Sequence, residues 1–268
     1  MTSIELWGWP ILLAVLGAVF GSFIATLAIR WPEGRSVARG RSACDSCEAP
    51  LRAAELVPVL SFLFQRGRCR HCHAMIPPSH WLTELVGLAI GLVAGLIAPG
   101  LDGVAGAVFG WLLLALAALD LAAFWLPNSL NLALAGTGLL AGTLGLTPGL
   151  IERVAGGVLG FAVLWMVAWG YQRLRGRQGL GGGDPKLFGA IGCWLGWPAL
   201  AMVLLAASLI GLAAVLGMRS AGRQVRATDR LPFGIMLAAG AWAVWIGQQL
   251  EPPPSPPQVL VVTGMATH

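Results

Sequence analysis

The chain has 268 residues, of which 57% are hydrophobic and only 11% are charged, and its formal net charge is +5. The average soluble domain is about a quarter charged, so this composition excludes an ordinary soluble enzyme and predicts an integral protein of a lipid bilayer. It also argues against a nucleic-acid partner, because the basic residues lie in loops between apolar runs and not on one face of a folded domain.

The first element is an apolar run from Leu6 to Ile29. A membrane-spanning helix needs roughly 20 such residues. Glu5 stands where a signal peptide would carry its basic region, and the run is longer than the roughly 7 to 15 residues of a signal-peptide core. Residues 1–29 are therefore predicted to form a first transmembrane helix.

A long polar segment, residues 30–80, follows and is predicted to be a small extramembrane loop domain. The remaining apolar runs are 81–98, 104–120, 131–146, 154–171, 187–197, 199–218 and 232–246. They predict an all-α polytopic membrane protein with about eight transmembrane helices, a core over residues 81–250 and a flexible proline-rich tail over residues 251–268. A kink at Trp197-Pro198 would instead give seven helices.

The basic residues predict an orientation for these helices. If the polar segment faces the cytoplasm and the helices alternate, every Lys and Arg except Arg153 lies inside, including Arg177, Arg226 and Arg230. This asymmetry is what the positive-inside rule predicts. The same orientation brings Asp120 and Asp184 to the cytoplasmic boundary.

Four cysteines in the polar segment have the spacing of a zinc site. Two Cys-x-x-Cys pairs are separated by 21 residues, and their members are Cys44, Cys47, Cys69 and Cys72. Such pairs predict a closed, structural four-thiolate zinc site, whereas disulfides are the alternative and need an oxidising compartment. His71 and His73 are interpreted as surface residues, and Cys193 as a small buried hydrophobic residue.

Two aspartates are the candidate catalytic residues. Asp184 ends a glycine-rich stretch before an apolar run, and Asp120 ends another apolar run. Carboxylates at such depths are costly and suggest function. Two facing carboxylates cannot both ionise easily and share one proton, as in aspartic proteases. The alternatives are a simple turn at Asp184, and an Asp120 that only caps a helix or pairs with a loop arginine.

Taken together, these motifs resemble the type IV prepilin peptidases, bacterial membrane aspartyl proteases of the GxGD class, from about residue 20 to residue 235. The matching positions are Gly21-Ser22-Phe23 with Arg30 and Pro32, the four cysteines, Val57 to Ser61, Arg66 to Arg70, Glu84, Asp120 before Pro127, Gly181 to Leu187 around Asp184, Gly192 to Trp197, and Pro232-Phe233-Gly234.

The resemblance implies that Asp120 and Asp184 are the catalytic pair. It implies cleavage of the basic leader of type IV prepilins or type II secretion pseudopilins at the cytoplasmic face of the bacterial inner membrane. Members often then methylate the new N-terminus with S-adenosylmethionine, an activity associated with the cysteine-bearing loop. No glycine-rich nucleotide-binding fingerprint occurs in the chain, so the sequence predicts no site for this methyl donor.

Three departures from the family pattern bear on methylation and substrate choice. Ala25 or Thr26 stands near a usual asparagine, Leu56 replaces the asparagine of an Asp-Asn step, and Asn128 replaces an aspartate. Three other hypotheses stay open on sequence alone: a peptidase whose loop is only a scaffold, a non-catalytic membrane assembly factor with a zinc loop, and a proton-coupled transporter.

Overall fold

The computed structural model describes residues 3–37, 42–44, 46–176, 179–223 and 231–251. Within these ranges the chain forms nine α-helices: α1 (Ser3–Arg30), α2 (Leu60–Phe64), α3 (Pro78–Ile97), α4 (Leu101–Ala123), α5 (Asn128–Thr143), α6 (Leu150–Arg175), α7 (Asp184–Leu195), α8 (Leu200–Ser220) and α9 (Phe233–Leu250). The predicted tail beyond Glu251 lies outside the described residues, as do Arg177, Arg226 and Arg230.

Eight of these helices coincide with the eight predicted apolar runs, and the ninth, α2, is a short helix within the polar segment. Several helices begin earlier than predicted because their first turn is not apolar. The helix α3, for example, starts at Pro78, a residue whose fixed φ suits a first helical turn. At the predicted kink, Gly196 has a φ of +76° and ends α7. The helices α7 and α8 are therefore separate elements.

Six of the described helices are long and apolar enough to cross a membrane: α1, α3, α4, α6, α8 and α9. The helices α5 and α7 have only 16 and 12 residues, which is less than the roughly 20 that a span requires. Every residue of α7 except Lys186 is buried. The protein is thus a multi-pass membrane protein, and its short helix α7 is buried against α5, α6 and α9.

Glycines allow close contact between the helices that hold the site. A Cβ atom built at Gly192 of α7 would overlap the backbone carbonyl of Gly156 in α6, and Gly17 of α1 meets Gly87 of α3 in the same way. Small residues at such crossings let helix backbones approach and pack in a membrane. The helix α7, which begins at Asp184, is therefore held directly against the backbone of α6.

Arg153 is buried. In the orientation predicted from the basic residues, it is the one Lys or Arg on the side of the membrane opposite the cytoplasm. Its side chain is only 2% exposed and lies over the ring of Trp194, 5.8 Å from the centroid. The guanidinium donates hydrogen bonds to five backbone carbonyls, those of Gly138, Leu146, Thr147, Pro148 and Cys193. The carbonyls of Leu146, Thr147 and Pro148 in the loop after α5, and that of Cys193 in the last turn of α7, would otherwise lack partners in an apolar surrounding.

Candidate active site and metal centre

Asp120 lies near the end of α4 and is only 5% exposed. The helix ends three residues later, where Phe124 adopts a left-handed backbone conformation. Oδ2 of Asp120 accepts a hydrogen bond from the backbone N–H of Ile235, 3.2 Å away in the first turn of α9. A Cβ atom at Gly234 would lie 2.7 Å from the same oxygen. The Pro232-Phe233-Gly234 step, at which α9 begins, thus brings a helix N-terminus against the carboxylate.

Asp184 is the first residue of α7 and is 6% exposed. The glycine-rich loop folds back on it through two hydrogen bonds. The N–H of Gly181 donates to Oδ2 of Asp184 over 2.9 Å, and the N–H of Asp184 donates to the carbonyl of Gly181 over 3.2 Å. The turn that was the alternative to a catalytic role is therefore present, and it holds the carboxylate in place.

The structure brings the two aspartates to one end of the bundle. Leu126 lies close to Gly183 beside Asp184 and to Gly234 beside Asp120. The two aspartates are therefore linked through one shared neighbour, Leu126. Asp184 lies outside the six candidate spans, and burial raises its pKa to about 6; the charge of Asp120 adds to this rise, while the Gly181 N–H opposes it.

This arrangement suits acid–base chemistry on a peptide bond. A protonated carboxyl can polarise a carbonyl while its ionised partner takes a proton from water. Asp120 also caps the N-terminus of α9, so the helix-capping alternative holds in part. A cap alone, however, would not require a second buried carboxylate within electrostatic reach.

Two asparagines beside the aspartates have roles that sequence reasoning did not find. Oδ1 of Asn128 accepts a hydrogen bond from Nζ of Lys186. Asn131 is buried and its Nδ2 donates to the carbonyl of Pro127 over 3.1 Å, while its Oδ1 has no partner among the described residues. The only sequence signal for Asn131 was a polar residue at the start of an apolar run.

The four cysteines converge in two equivalent turns. In the first, the N–H of Cys44 donates to the carbonyl of Ala49 over 3.0 Å; in the second, the N–H of Cys69 donates to that of Ala74 over 2.9 Å. Glu48 and His73 occupy matching positions with φ values of 55° and 58°. Each turn therefore presents its two thiols in the same way, as paired zinc-binding turns do.

The thiol geometry fits a tetrahedral metal. The four sulfur atoms lie within 4.8 Å of one another, and Sγ of Cys44 is 3.9 Å from Sγ of Cys72. A tetrahedron with Zn–S bonds of ~2.3 Å has S···S edges of roughly 3.8 Å, whereas a disulfide needs ~2.05 Å. All four cysteines are free.

The surroundings of the cluster agree with this fit. The backbone N–H of His71 donates a hydrogen bond to Sγ of Cys69 over 3.4 Å, as is typical around a thiolate that binds a metal. His71 and His73 are exposed, and Cys193 is buried far along the chain in α7, as predicted.

Two protein families match the chain. Residues 15–97 match the Bacterial Peptidase A24 N-terminal domain, and residues 107–216 match the Type IV leader peptidase family. No solved structure matches the chain.

Several bacterial proteins called prepilin leader peptidase/N-methyltransferase are similar to it. The Aeromonas hydrophila protein is 40% identical over 203 residues, which cover 75% of this chain and 70% of the relative. The Klebsiella pneumoniae protein is 40% identical over 207 residues, covering 75% and 91%. The Pectobacterium carotovorum subsp. carotovorum protein is 32% identical over 254 residues, covering 87% and 91%. With this similarity across both halves, the chain belongs to the type IV prepilin leader peptidase/N-methyltransferase family.

Proposed function

We propose that this protein is a membrane aspartyl endopeptidase that removes the basic leader of type IV prepilins or type II secretion pseudopilins, with Asp120 and Asp184 as its catalytic pair. The observation that carries the proposal is that these two buried carboxylates, from separate helices, lie at the same end of the bundle with Leu126 as a shared neighbour. The relatives are called prepilin leader peptidases, and this name supplies the substrate class.

In the proposed reaction the aspartate pair holds one proton between its two carboxyl groups. The ionised carboxylate takes a proton from a water molecule as its oxygen bonds to the scissile carbonyl carbon, and the protonated partner donates a hydrogen bond to the carbonyl oxygen. Collapse of the tetrahedral intermediate breaks the C–N bond, and the leaving amine takes up a proton from the pair. The hydrogen bonds from Gly181 and Ile235 fix the two carboxylates during these steps.

The relatives' name also includes an N-methyltransferase, and we infer that the new N-terminal amine of the substrate is methylated here as well. S-adenosylmethionine would supply the methyl group, which is transferred from its sulfonium to the amine nitrogen as the amine loses a proton. A peptidase whose loop is only a scaffold remains the alternative that an assay of methylation decides.

We further infer the layout of the protein in the bacterial inner membrane. The loop domain, residues 30–80, lies in the cytoplasm with a structural zinc on Cys44, Cys47, Cys69 and Cys72, and residues 81–250 form the protease core. The positive-inside distribution of the described arginines and Lys186 supports this orientation. On the same reasoning α5 and the apolar part of α7, residues 187–195, carry the chain across with the help of their flanking loops. This gives eight crossings, with Asp184 at the cytoplasmic boundary.

The test is a cleavage assay on a prepilin in reconstituted membranes with Asp120→Asn and Asp184→Asn. Each change keeps the shape of the side chain but removes its acid–base function, so we expect cleavage to fall at least about 1000-fold. Asp102→Asn is the matched control, because Asp102 lies exposed in the first turn of α4, far along the helix from Asp120. It is expected to cleave as the wild type does.

Mass spectrometry of the product reports leader loss and methylation separately. If Asp120→Asn or Asp184→Asn cleaves at the wild-type rate, that aspartate is not catalytic. If the wild-type protein itself does not cleave a prepilin, a non-catalytic assembly factor or a proton-coupled transporter becomes the better description.

A further inference from the structure

A cavity lies between the loop domain and the helices α1 and α3. Its walls come from the last turns of α1, including Arg30, from the first turns of α3, including Glu84, and from the loop domain. Cys44 and Cys69, one from each cysteine turn, also contribute to the wall. Neither Asp120 nor Asp184 lines the cavity, so it is a site separate from the aspartate pair.

Glu84 places a buried negative charge in this cavity. The side chain is only 7% exposed, and its Oε2 accepts a hydrogen bond from the N–H of Val59 over 2.7 Å. Among the described residues no basic side chain forms an ion pair with it. A buried carboxylate without a cationic partner is costly, and a positively charged ligand would offset that cost.

The backbone that meets Glu84 is itself strained. Val59 has a φ of 63°, a conformation that a β-branched residue rarely adopts. Strain of this kind persists where the surrounding structure enforces it, and it is concentrated at ligand-binding sites. Here it directs the N–H of Val59 at Glu84 and fixes the carboxylate in the wall.

Aromatic and basic groups complete the lining. Phe62 and Trp81 stack with their ring centroids 5.6 Å apart, and both line the cavity, as does Arg30. An aromatic surface suits a purine ring, and a guanidinium suits a carboxylate. The cavity therefore combines a carboxylate for a cation, an aromatic surface for a purine ring and a guanidinium for a carboxylate. A ligand with all three features is an adenosine joined through a sulfonium to an amino acid.

We propose that this cavity binds S-adenosylmethionine, with Glu84 facing its cationic centre, the Phe62–Trp81 pair against its adenine and Arg30 near its carboxylate. This inference rests on the proposed methyl transfer. It gives that activity a location that the sequence did not provide. The cysteine turns form part of the cavity wall, so a metal that holds them also shapes the donor site.

Equilibrium dialysis of the purified full-length protein with methyl-labelled S-adenosylmethionine tests the site without relying on turnover. Glu84→Gln keeps an oxygen that accepts the Val59 N–H but removes the charge, and we expect donor binding at least about tenfold weaker. Trp81→Leu removes the stacking surface and should weaken binding about as much. Glu84→Asp keeps the charge and should lie between the wild type and Glu84→Gln.

Glu33→Gln is the matched control, because Glu33 is exposed, pairs with Arg35 and does not line the cavity. Prepilin cleavage and zinc content serve as checks of folding in every variant. Weakened donor binding in Glu84→Gln and Trp81→Leu, with both checks intact and Glu33→Gln unchanged, supports the proposal.

Two results overturn it in different ways. If the wild type binds and transfers the methyl group but Glu84→Gln and Trp81→Leu bind the donor equally well, the cavity is not the donor site and the methyltransferase function stands. If the wild type cleaves prepilin yet neither binds the donor nor methylates the product, methyl transfer itself is wrong and this inference falls with it.

Discussion

Nζ of Lys186 in the first turn of α7 donates a hydrogen bond to Oδ1 of Asn128 at the start of α5, over 2.8 Å. The contact joins the start of α5, which follows Asp120 in the chain, to the first turn of α7, which begins at Asp184. It therefore connects the two segments that carry the aspartates. In the family pattern described above, an aspartate stands where this chain has Asn128. In this chain the oxygen acceptor is kept and the charge is lost.

Substitutions at position 128 test this link. Asn128→Asp keeps an acceptor for Lys186 and adds an ion pair, which at an exposed site contributes only about 0–1 kcal/mol, so we expect kcat for prepilin cleavage to stay within about threefold of wild type. Asn128→Leu removes the acceptor and loosens the spacing of the aspartates, and we expect kcat to fall roughly three- to tenfold. Equal rates for Asn128→Leu and the wild type would show that the contact does not position the pair.

The pH dependence of cleavage follows from the pKa of Asp184. Burial raises that pKa from 3.8 to about 6, so the folded protein retains a proton that an ordinary aspartate would already have lost. As the pH rises through and beyond about 6, the pair loses this proton and no longer has a protonated carboxyl to act as the general acid. We expect single-turnover cleavage to decline on that side with an apparent pKa of about 6 or higher. A rate that changes only near the ordinary value for aspartate would contradict a perturbed pair.

Removal of the metal should act on the loop domain. We expect the purified protein to contain about one zinc ion per chain and Cys47→Ser to lose it, because three thiolates no longer close a tetrahedral site. Zinc content by elemental analysis, together with the rate of proteolysis within residues 30–80, measures the effect. Cys193→Ala is the control, since Cys193 lies in α7 and is expected to leave the zinc content unchanged. Full zinc content in Cys47→Ser would rule out the four-thiolate site.

The contact between α6 and α7 should be sensitive to a single methyl group. The Cβ atom of Gly192→Ala would overlap the carbonyl of Gly156, and overpacking of this kind costs about 1–3 kcal/mol. Gly170→Ala on α6 is the matched control, because no atom lies within 4 Å of its added Cβ. We expect Tm in detergent to fall by several degrees for Gly192→Ala and to stay the same or rise slightly for Gly170→Ala. Equal Tm values would mean that the two helices separate easily.

The helices could be predicted from the sequence because the signals are local. Apolar runs separated by proline and glycine predicted eight helices. The observed helices differ from the prediction mainly at their starts, because a polar first turn, as at Pro78 and Asp184, is already helical. The short helix α2 was not predicted, because five residues in a polar segment carry too little periodicity to be recognised.

The contacts within the site could not be predicted in the same way. The sequence identified Asp120 and Asp184 as candidates, but the N–H group that meets Asp120 belongs to Ile235, 115 residues later. Glu84 was noted only as a matching position, and its contact with Val59 depends on how the loop domain folds over α3. Such pairings arise from tertiary structure and leave no local pattern.

The burial of Arg153 has a consequence for how the protein is made. Four of the five carbonyls that its guanidinium binds precede it in the chain, between Gly138 and Pro148, while the fifth belongs to Cys193, 40 residues downstream. On the ribosome, the arginine is therefore synthesised after most of its partners and before α7. The hairpin of α5 and α6 can shield this charge as it enters the bilayer, so these two helices are expected to leave the translocon together, with α7 closing the last hydrogen bond.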